Sequence, residues 1–230
     1  MMNTLSTIKP NLYNKNRFNL LHYSFEGGTA TDLYNSYHGT LGINSISSTF
    51  SKYGSYSAVS EGIAYTKKYV IIPTIAIVNE SGLSFSLFLY TIAQPITDSK
   101  IFELTVDKLV LMGRAASDNY YFGNVLNENG SDFTMPLATW NHLVITVDQM
   151  STINIYVNNV LTITETPITT IYPTGKTINP SLSPASRGKI NRSIISTHVS
   201  HNGYTDDFKI FNRVLSATDV NGLFTNSYFP

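Results

Sequence analysis

From residue 20 onward, short stretches of alternating apolar and polar residues are separated by Gly, Asn, Ser and Pro. The alternation is most regular in GLSFSLFLYTI (residues 82–92) and NHLVITVD (residues 141–148). The apolar positions that share one face are Leu83, Phe85, Leu87 and Leu89 in the first stretch, and Leu143, Ile145 and Val147 in the second. A period of two predicts strands with one buried face, and the spacing of the strands predicts a sandwich of two sheets rather than alternating βα units.

The other face of residues 82–92 changes character along the strand. It begins with Ser84 and Ser86, which we expect to face solvent, and it ends in Phe88, Tyr90 and Ile92, which we expect to be buried. This face of the sheet should therefore be exposed to solvent at the start of the strand and buried at its end.

Turn residues predict two hairpins. Asn158 and Asn159 separate two β-branched runs and tolerate positive φ, so a tight turn is expected between them. Residues 100–113 predict two short strands that meet around Asp107 and Lys108.

Only one segment has the pattern of a helix. Ser216 and Asp219 have the Ser-x-x-acid spacing of an N-terminal cap, and an apolar side follows them. That side consists of Val220, Leu223 and Phe224.

The chain divides into an N-terminal arm (residues 1–19) and a sandwich domain (residues 20–230). Within the domain, residues 166–189 contain four of the nine prolines and predict a long connection. No acidic residue occurs between Glu165 and Asp206, whereas four basic ones do, namely Lys176, Arg187, Lys189 and Arg192. We expect a solvated loop, and the alternative is a contact for an anionic sugar or a partner surface.

Composition excludes several classes of function. The chain has 15 basic and 15 acidic residues and a formal net charge of zero, which argues against nucleic acid as a partner. It has no cysteine, so disulfides, zinc–thiolate sites and thiol catalysis are excluded. No apolar run is long enough for membrane insertion, and no signal peptide is expected. The compartment stays open, with a virion or particle surface as a plausible location.

Common catalytic patterns are missing from the sequence. Glucanases of sandwich folds carry Glu-x-Asp-x-x-Glu on one strand so that two carboxylates lie about 5 Å apart, and no such run occurs. The nearest approximation is Glu103 and Asp107, roughly 13 Å apart by strand rise, which we expect to be two solvent-facing carboxylates. We therefore expect no enzyme activity, and a glycosidase or lyase is the catalytic alternative.

Two loop clusters combine aromatic and polar residues in the manner of a sugar site. The first consists of Asp118, Asn119 and Tyr120, and its alternative is that Tyr120 merely enters a strand. The second consists of His201, Asn202 and Tyr204, and its alternative is a surface hairpin that turns at Asn202-Gly203.

Three segments together resemble the laminin G-like, concanavalin A-like lectin superfamily. They are LLHYSFEGGTATDLYNSYHGTLG (residues 20–42), TWNHLVITVDQMSTINIYVNNVLT (residues 139–162) and NGYTDDFKIFNRVLSATDVNGLF (residues 202–224). The second resembles the family's Trp-x-His strand and Tyr-Val hairpin, with Asn158-Asn159 where Asp-Gly is usual. The resemblance implies an all-β, antiparallel jelly-roll sandwich with a short C-terminal helix.

The resemblance also implies structural roles. Trp140 is expected to fill the core, and Leu215 with Phe224 to hold the helix at the sandwich edge. From its own position, two residues after Trp140 in a strand that must pack, His142 is expected to be a core or half-buried histidine bonded by backbone. The first and last strands should be neighbours, which would bring Glu26 near Asp206 and Asp207. Many relatives bind a structural calcium ion there, so Glu26 and Asp206 are implied ligands, with Asp32 and Asp207 as further candidates. The alternative is that Asp206 accepts backbone hydrogen bonds.

The function that the resemblance implies is recognition without chemistry. We expect a lectin-like module that binds a glycan or a cell or particle surface, as in adhesion. The alternative is a structural assembly protein, such as a virion or tail decoration subunit, in which the arm contacts a neighbouring subunit. A homo-oligomer is compatible with both hypotheses.

Overall fold

The computed structural model describes residues 19–34, 37–76, 82–93, 97–105, 108–114, 119–124, 129–166, 177–178, 188–192 and 199–225. The expectations for the arm, for Asp107 and Asp118, and for most of the connection at 166–189 lie outside these residues.

The described residues form eighteen strands, a 3-10 turn at Glu26–Gly28 and one α-helix. The strands are β1 (Asn19–Tyr23), β2 (Thr40–Leu41), β3 (Ile46–Ser47), β4 (Ser57–Glu61), β5 (Val70–Ile71), β6 (Ile75–Ala76), β7 (Gly82–Thr91), β8 (Ser99–Thr105), β9 (Lys108–Gly113), β10 (Asn119–Asn124), β11 (Asn129–Thr134), β12 (Trp140–Asp148), β13 (Ile153–Val157), β14 (Val160–Glu165), β15 (Thr177–Ile178), β16 (Lys189–Ile190), β17 (Val199–Ser200) and β18 (Asn202–Phe211). The helix, α1, spans Ala217–Phe224.

Two eight-stranded sheets pack face to face. Sheet A has the order β14-β13-β12-β7-β18-β4-β3, and β1 also pairs with β18. Sheet B has the order β11-β10-β9-β8-β16-β5-β2, and β17 pairs in parallel with β8. The other pairs are antiparallel, which confirms the predicted jelly-roll sandwich. The predicted adjacency of the first and last strands is also found.

The core lies between the sheets, where the predicted inward-facing residues of β7 and β12 are fully buried. Aromatic rings from both sheets meet there: the centroid of Phe102 on β8 lies 5.5 Å from that of Phe85 on β7 and 5.6 Å from that of Phe208 on β18. Burying such large rings is the main stabilising term of a core.

The helix lies on the outer face of sheet A and not at the sandwich edge. Val220 and Leu223 pack against Val144 and Phe211, which point outward from β12 and β18, while Phe224 is 39% exposed. The predicted cap is confirmed, because Ser216 Oγ accepts the N–H of Asp219 and the Asp219 carboxylate accepts the N–H of Ser216.

The segment that leads into α1 buries the start of β7, which was expected to be exposed to solvent. Ser84 and Ser86 are both buried. Ser84 Oγ donates to the carbonyl of Arg213 at 2.7 Å and accepts the N–H of Leu215 at 3.0 Å. The expectation of solvent exposure was wrong because a covering segment far along the chain leaves no trace in a local pattern.

The Asn158-Asn159 hairpin is confirmed, with φ values of 49° and 69° at the two positions between β13 and β14. The proposed turn at Asn202-Gly203 is wrong. Both residues belong to β18, and the chain crosses from sheet B to sheet A at His201. A Cβ at Gly203 would lie only 1.9 Å from the carbonyl oxygen of Tyr90, so glycine is needed for the close strand contact.

Two charged residues expected at the surface are buried. Glu103 is 0% exposed and Lys189 is 4% exposed, and they are cross-strand neighbours on β8 and β16. Burial lowers the pKa of Lys189 to about 8. No helix in the described part of the chain is long and apolar enough to cross a membrane.

Candidate functional site

The outer face of sheet A carries a row of aromatic residues beside α1. Trp140 on β12 pairs with Tyr90 on β7, and Tyr90 pairs with Tyr204 on β18, so the three side chains emerge side by side. All three are half-buried. Trp140 was expected in the core, but it is not a core residue. It emerges on the outer face of sheet A together with His142, whereas Leu143 points from the other face of the strand into the core.

A fourth ring, Phe50, lies against this row from a loop between β3 and β4. Its centroid is 4.7 Å from that of Tyr90, 4.7 Å from that of Tyr204 and 5.5 Å from that of Trp140, with the Phe50 and Trp140 planes only 15° apart. We call Phe50, Tyr90, Trp140 and Tyr204 the aromatic patch, and residues 48–56 the Phe50 loop.

The polar atoms of the patch are unused by the protein. Among the described residues, the indole N–H of Trp140 and the hydroxyls of Tyr90 and Tyr204 have no hydrogen-bond partner, and none of these atoms is completely buried. The patch therefore combines apolar ring faces with donors that reach solvent. Such a surface suits a ligand that has both apolar faces and hydroxyl groups.

The Phe50 loop is attached to the sandwich by two carboxylates. Asp206 Oδ2 accepts the backbone N–H groups of Lys52 and Tyr53 at 2.9 and 3.0 Å. Glu26 Oε1 accepts those of Ser55 and Tyr56 at 3.1 and 3.2 Å. Burial raises the pKa of Asp206 to about 7, and its bonds to backbone N–H groups act in the opposite direction.

The residues implied as calcium ligands do not fit a calcium ion in this arrangement. Besides Glu26 and Asp206, Asp32 accepts the N–H groups of His22, Tyr34 and Tyr37. Positive N–H dipoles thus point at the oxygens that a cation would need. No group of three or more acidic, histidine or cysteine side chains in the described ranges could hold a metal ion. Calcium binding therefore stays a prediction that these contacts do not support.

Asp207, the fourth implied ligand, belongs to a buried ionic group. Its carboxylate contacts His22 Nε2 at 2.6 Å and the ammonium of Lys209, and all three residues are buried. Burial disfavours the Asp207 carboxylate, but Lys209 and His22 hold its pKa at about 2. The group ties β1 to β18 and lies next to Asp206.

The predicted sugar-binding residues divide between surface and core. Tyr204 belongs to the aromatic patch, and half-buried Asn202 precedes it by two positions on the same face. His201 is buried, and burial lowers its pKa to about 4. Tyr120 is 1% exposed and its hydroxyl donates to Thr91 Oγ1, so its ring is a core element and offers no surface for a sugar. Asn119 is half-buried, and Asp118 lies outside the described residues.

The His142 ring lies beside the patch on the same face of sheet A and is held by a side chain rather than by backbone. Its Nε2 is 3.0 Å from Ser86 Oγ, and its ring stacks between Phe88 and Phe224. Burial lowers its pKa to about 3, so the imidazole is neutral over the physiological range.

The interpretation of the sequence missed Phe50, Tyr90 and Trp140 as surface residues. A signal existed for two of them: Tyr90 and Trp140 are out of phase with the apolar residues of their strands. Phe50 had none, because its position depends on contacts made by a loop.

Solved structures share this fold at low sequence identity. Domain 4 of AbnA, a GH43 extracellular arabinanase from Geobacillus stearothermophilus, in complex with arabinotriose, matches with a TM-score of 0.66 and 18% identity, over 90% of this chain and 98% of that one. The binding domain of botulinum neurotoxin DC, in complex with rat synaptotagmin II, matches with a TM-score of 0.66 and 16% identity, over 93% of this chain.

Botulinum neurotoxin type C, whose cell entry depends on interaction with two ganglioside molecules, matches with a TM-score of 0.65 and 14% identity, over 94% of this chain. The present chain spans about half of both neurotoxin chains, 52% for type DC and 53% for type C.

A search of curated protein sequences found no relative. A laminin G-type family model, described as the concanavalin A-like lectin/glucanases superfamily, matches residues 65–221, more than half of the chain. The match includes β7, β12, β18 and most of α1, the elements that carry or flank the aromatic patch. The chain therefore belongs to the concanavalin A-like lectin/glucanase superfamily.

Proposed function

We propose that this protein is a non-catalytic module that binds carbohydrate at the aromatic patch. The observation that carries the proposal is the set of four neighbouring, half-buried rings on one sheet face whose N–H and O–H groups have no partner among the described residues. Contiguous aromatic patches that the fold itself does not bury are uncommon on monomeric proteins, and they mark interaction sites.

The chemistry of a sugar matches these groups. A pyranose or furanose ring has an apolar C–H face that packs on an aromatic ring, whose face is electron-rich. Its hydroxyl oxygens accept hydrogen bonds from indole N–H and phenol O–H groups. Trp140 and the two tyrosines could supply both kinds of contact to one saccharide.

The aromatic patch itself is uncharged, which suits a neutral saccharide, and the ammonium of Lys52 in the Phe50 loop already lies over the rings of Tyr53 and Phe88, 5.7 and 5.4 Å from their centroids. The four side chains of the patch carry no formal charge at neutral pH. At the end of the patch marked by Asn202, Glu61 is already neutralised by Lys68, with 2.7 Å between Oε1 and Nζ. The chain as a whole has zero net charge, so it provides no long-range attraction for an acidic polymer.

The structural neighbours support recognition as the role of this fold. The arabinanase domain was solved with arabinotriose, and the neurotoxin DC binding domain with rat synaptotagmin II. Cell entry of the type C neurotoxin depends on interaction with two ganglioside molecules. A saccharide ligand for the present chain rests on the aromatic patch together with these neighbours.

The test is a glycan array followed by titration calorimetry on the best neutral oligosaccharide. We expect Trp140→Ala and Tyr204→Ala to weaken binding by about tenfold or more, as for aromatic hot spots, without loss of the fold measured by circular dichroism. Met150→Ala is the matched control, because this residue is 80% exposed and lies just beyond the far end of β12.

Retained affinity in Trp140→Ala and Tyr204→Ala would contradict the aromatic patch as the site. A folded protein that binds no glycan on the array would contradict the carbohydrate proposal itself. In that case the oligomeric state, measured by light scattering with and without the arm, would test the assembly protein as the alternative. The deletion removes residues 1–18 and keeps Asn19, because Asn19 begins β1.

A further inference from the structure

We infer that Asp206 and Glu26 form a metal-independent clamp that holds the Phe50 loop on the outer face of sheet A, and that Asp206 is thereby a positioning residue for the aromatic patch. The part of this inference that concerns ligand affinity rests on the proposed function. The part that concerns the loop can be measured without any ligand.

The clamp consists of four backbone N–H groups on two carboxylates. Lys52 and Tyr53 donate to one oxygen of Asp206, and Ser55 and Tyr56 donate to Glu26. Because Ser55 also lies 3.1 Å from Glu26 Oε2, both oxygens of Glu26 face the loop. Hydrogen bonds from N–H to a carboxylate are about twice as strong as neutral ones when the carboxylate is ionised, so the Asp206 bonds are strongest above the raised pKa of that group, about 7.

The Asp206 carboxylate is itself fixed by the sandwich. The second oxygen of Asp206 accepts the N–H of Asp207 at 2.7 Å, at a point where the pairing of β18 with β7 shifts register and Asp207 has a φ of 51°. The Asp207 side chain is in turn bonded to His22 and Lys209. Asp206 is therefore aimed at the loop by buried neighbours on two strands.

The loop sequence leaves room for Glu26. Gly54 has a φ of 57°, which favours glycine, and a Cβ there would lie 2.3 Å from Glu26 Oε1, so a side chain at this position would displace the carboxylate. The carboxylate and the loop are thus complementary in shape as well as in charge.

These contacts take the place that a structural cation would have. A calcium ion would approach a carboxylate oxygen to about 2.3 to 2.6 Å and would require oxygen ligands around it. Here the same oxygens are approached by the positive ends of N–H bonds. Removal of the carboxylates would leave loop amides without their acceptors, and addition of calcium would have to displace those amides.

The clamp is connected to the aromatic patch by a short stretch of backbone. Phe50 is two residues before Lys52, and its carbonyl accepts a hydrogen bond from Ser57 Oγ at 2.6 Å. Tyr53 packs edge-on against Phe88, with 4.9 Å between centroids. Loss of the Asp206 bonds should therefore release Phe50 from the ring of Trp140.

Trp140 is the only tryptophan in the chain, so its fluorescence reports directly on this contact. We expect Asp206→Ala to shift the emission to longer wavelength and to increase quenching by acrylamide. Asp206→Asn keeps an acceptor for the loop and should restore most of the wild-type spectrum. Asp148→Ala is the matched control, because Asp148 also accepts a backbone N–H, that of Thr152 at 2.8 Å, at the far end of β12.

The metal arm of the experiment uses calcium chloride and a chelator on the wild-type chain. We expect neither the Trp140 spectrum nor the melting temperature to change. An unchanged spectrum in Asp206→Ala, or a shift of the wild type on calcium addition, would overturn the clamp. Failure of every glycan to bind would leave these measurements intact and would count against the proposed function alone.

Discussion

His201 lies where the chain passes from sheet B to sheet A, and it is almost completely enclosed, at 1% exposure. Burial penalises the charged imidazolium and lowers its pKa to about 4. An unfolded chain would bind a proton at this residue near pH 6.5. The folded state thus loses stability as the pH falls through this window, because only the unfolded state gains the proton.

At the residue scale we predict that acidification from pH 7 to pH 5 costs the wild type about 2 kcal/mol more unfolding free energy than it costs His201→Gln. Urea unfolding at both pH values measures the difference. The raised pKa of Asp206 acts in the opposite direction, but it is common to both proteins and cancels. Equal losses in the two proteins would contradict a neutral, buried His201.

At the element scale, the outer face of sheet A has two covers. The segment of Leu215 and α1 closes the half that contains Ser84 and Ser86, and the Phe50 loop lies over the half that contains Tyr90. The aromatic patch lies in the half that the Phe50 loop covers, and its four rings are only half-buried there. The position of α1 therefore sets one border of the candidate site.

We predict that Ser216→Ala lowers the unfolding free energy by about 1 kcal/mol, since it removes the N-terminal cap of α1. Arg213, which forms two hydrogen bonds with Asp219, would retain part of the attachment. Thr218→Ala is the control, because Thr218 is exposed within the helix and alanine favours helix. Chemical denaturation compares the two, and equal stabilities would show that the cap is dispensable.

At the scale of the whole molecule, β18 is the strand on which sheet A is assembled. It pairs with β1 and β4, which come from the first quarter or so of the chain, and with β7. Loop closure over such sequence separations has to precede the contacts that stabilise it, so folding is expected to be slow for a chain of this size.

We predict that Gly203→Ala destabilises the protein by about 2 kcal/mol or more, because its Cβ would overlap the carbonyl of Tyr90 and separate β18 from β7. Gly27→Ala separates this clash from backbone strain: Gly27 has a φ of 68° but nothing within 4 Å of its Cβ, so a cost of about 1 kcal/mol is expected. Thermal unfolding measures both, and a Gly203 variant no less stable than the Gly27 variant would contradict the role of this contact.

Local sequence was sufficient to predict the elements whose causes are local. The inward faces of β7 and β12 follow from a period of two, the Asn158-Asn159 turn from two residues that accept positive φ, and the start of α1 from a four-residue capping motif that begins at Ser216. The spacing of the strands also predicted a two-sheet sandwich, whereas its jelly-roll form and the pairing of its first and last strands followed from the resemblance of three segments to a known family.

Only the tertiary structure decided which outward-facing residues are covered. Ser84 and Ser86 are buried and Trp140 is half-exposed because a helix and a loop, each distant in sequence, lie on different halves of one sheet. The surroundings of the implied calcium ligands were likewise decided by the Phe50 loop, because its backbone N–H groups donate to the oxygens of Asp206 and Glu26. Alternation along a strand determines the side from which a residue emerges, whereas exposure depends on what packs against that side.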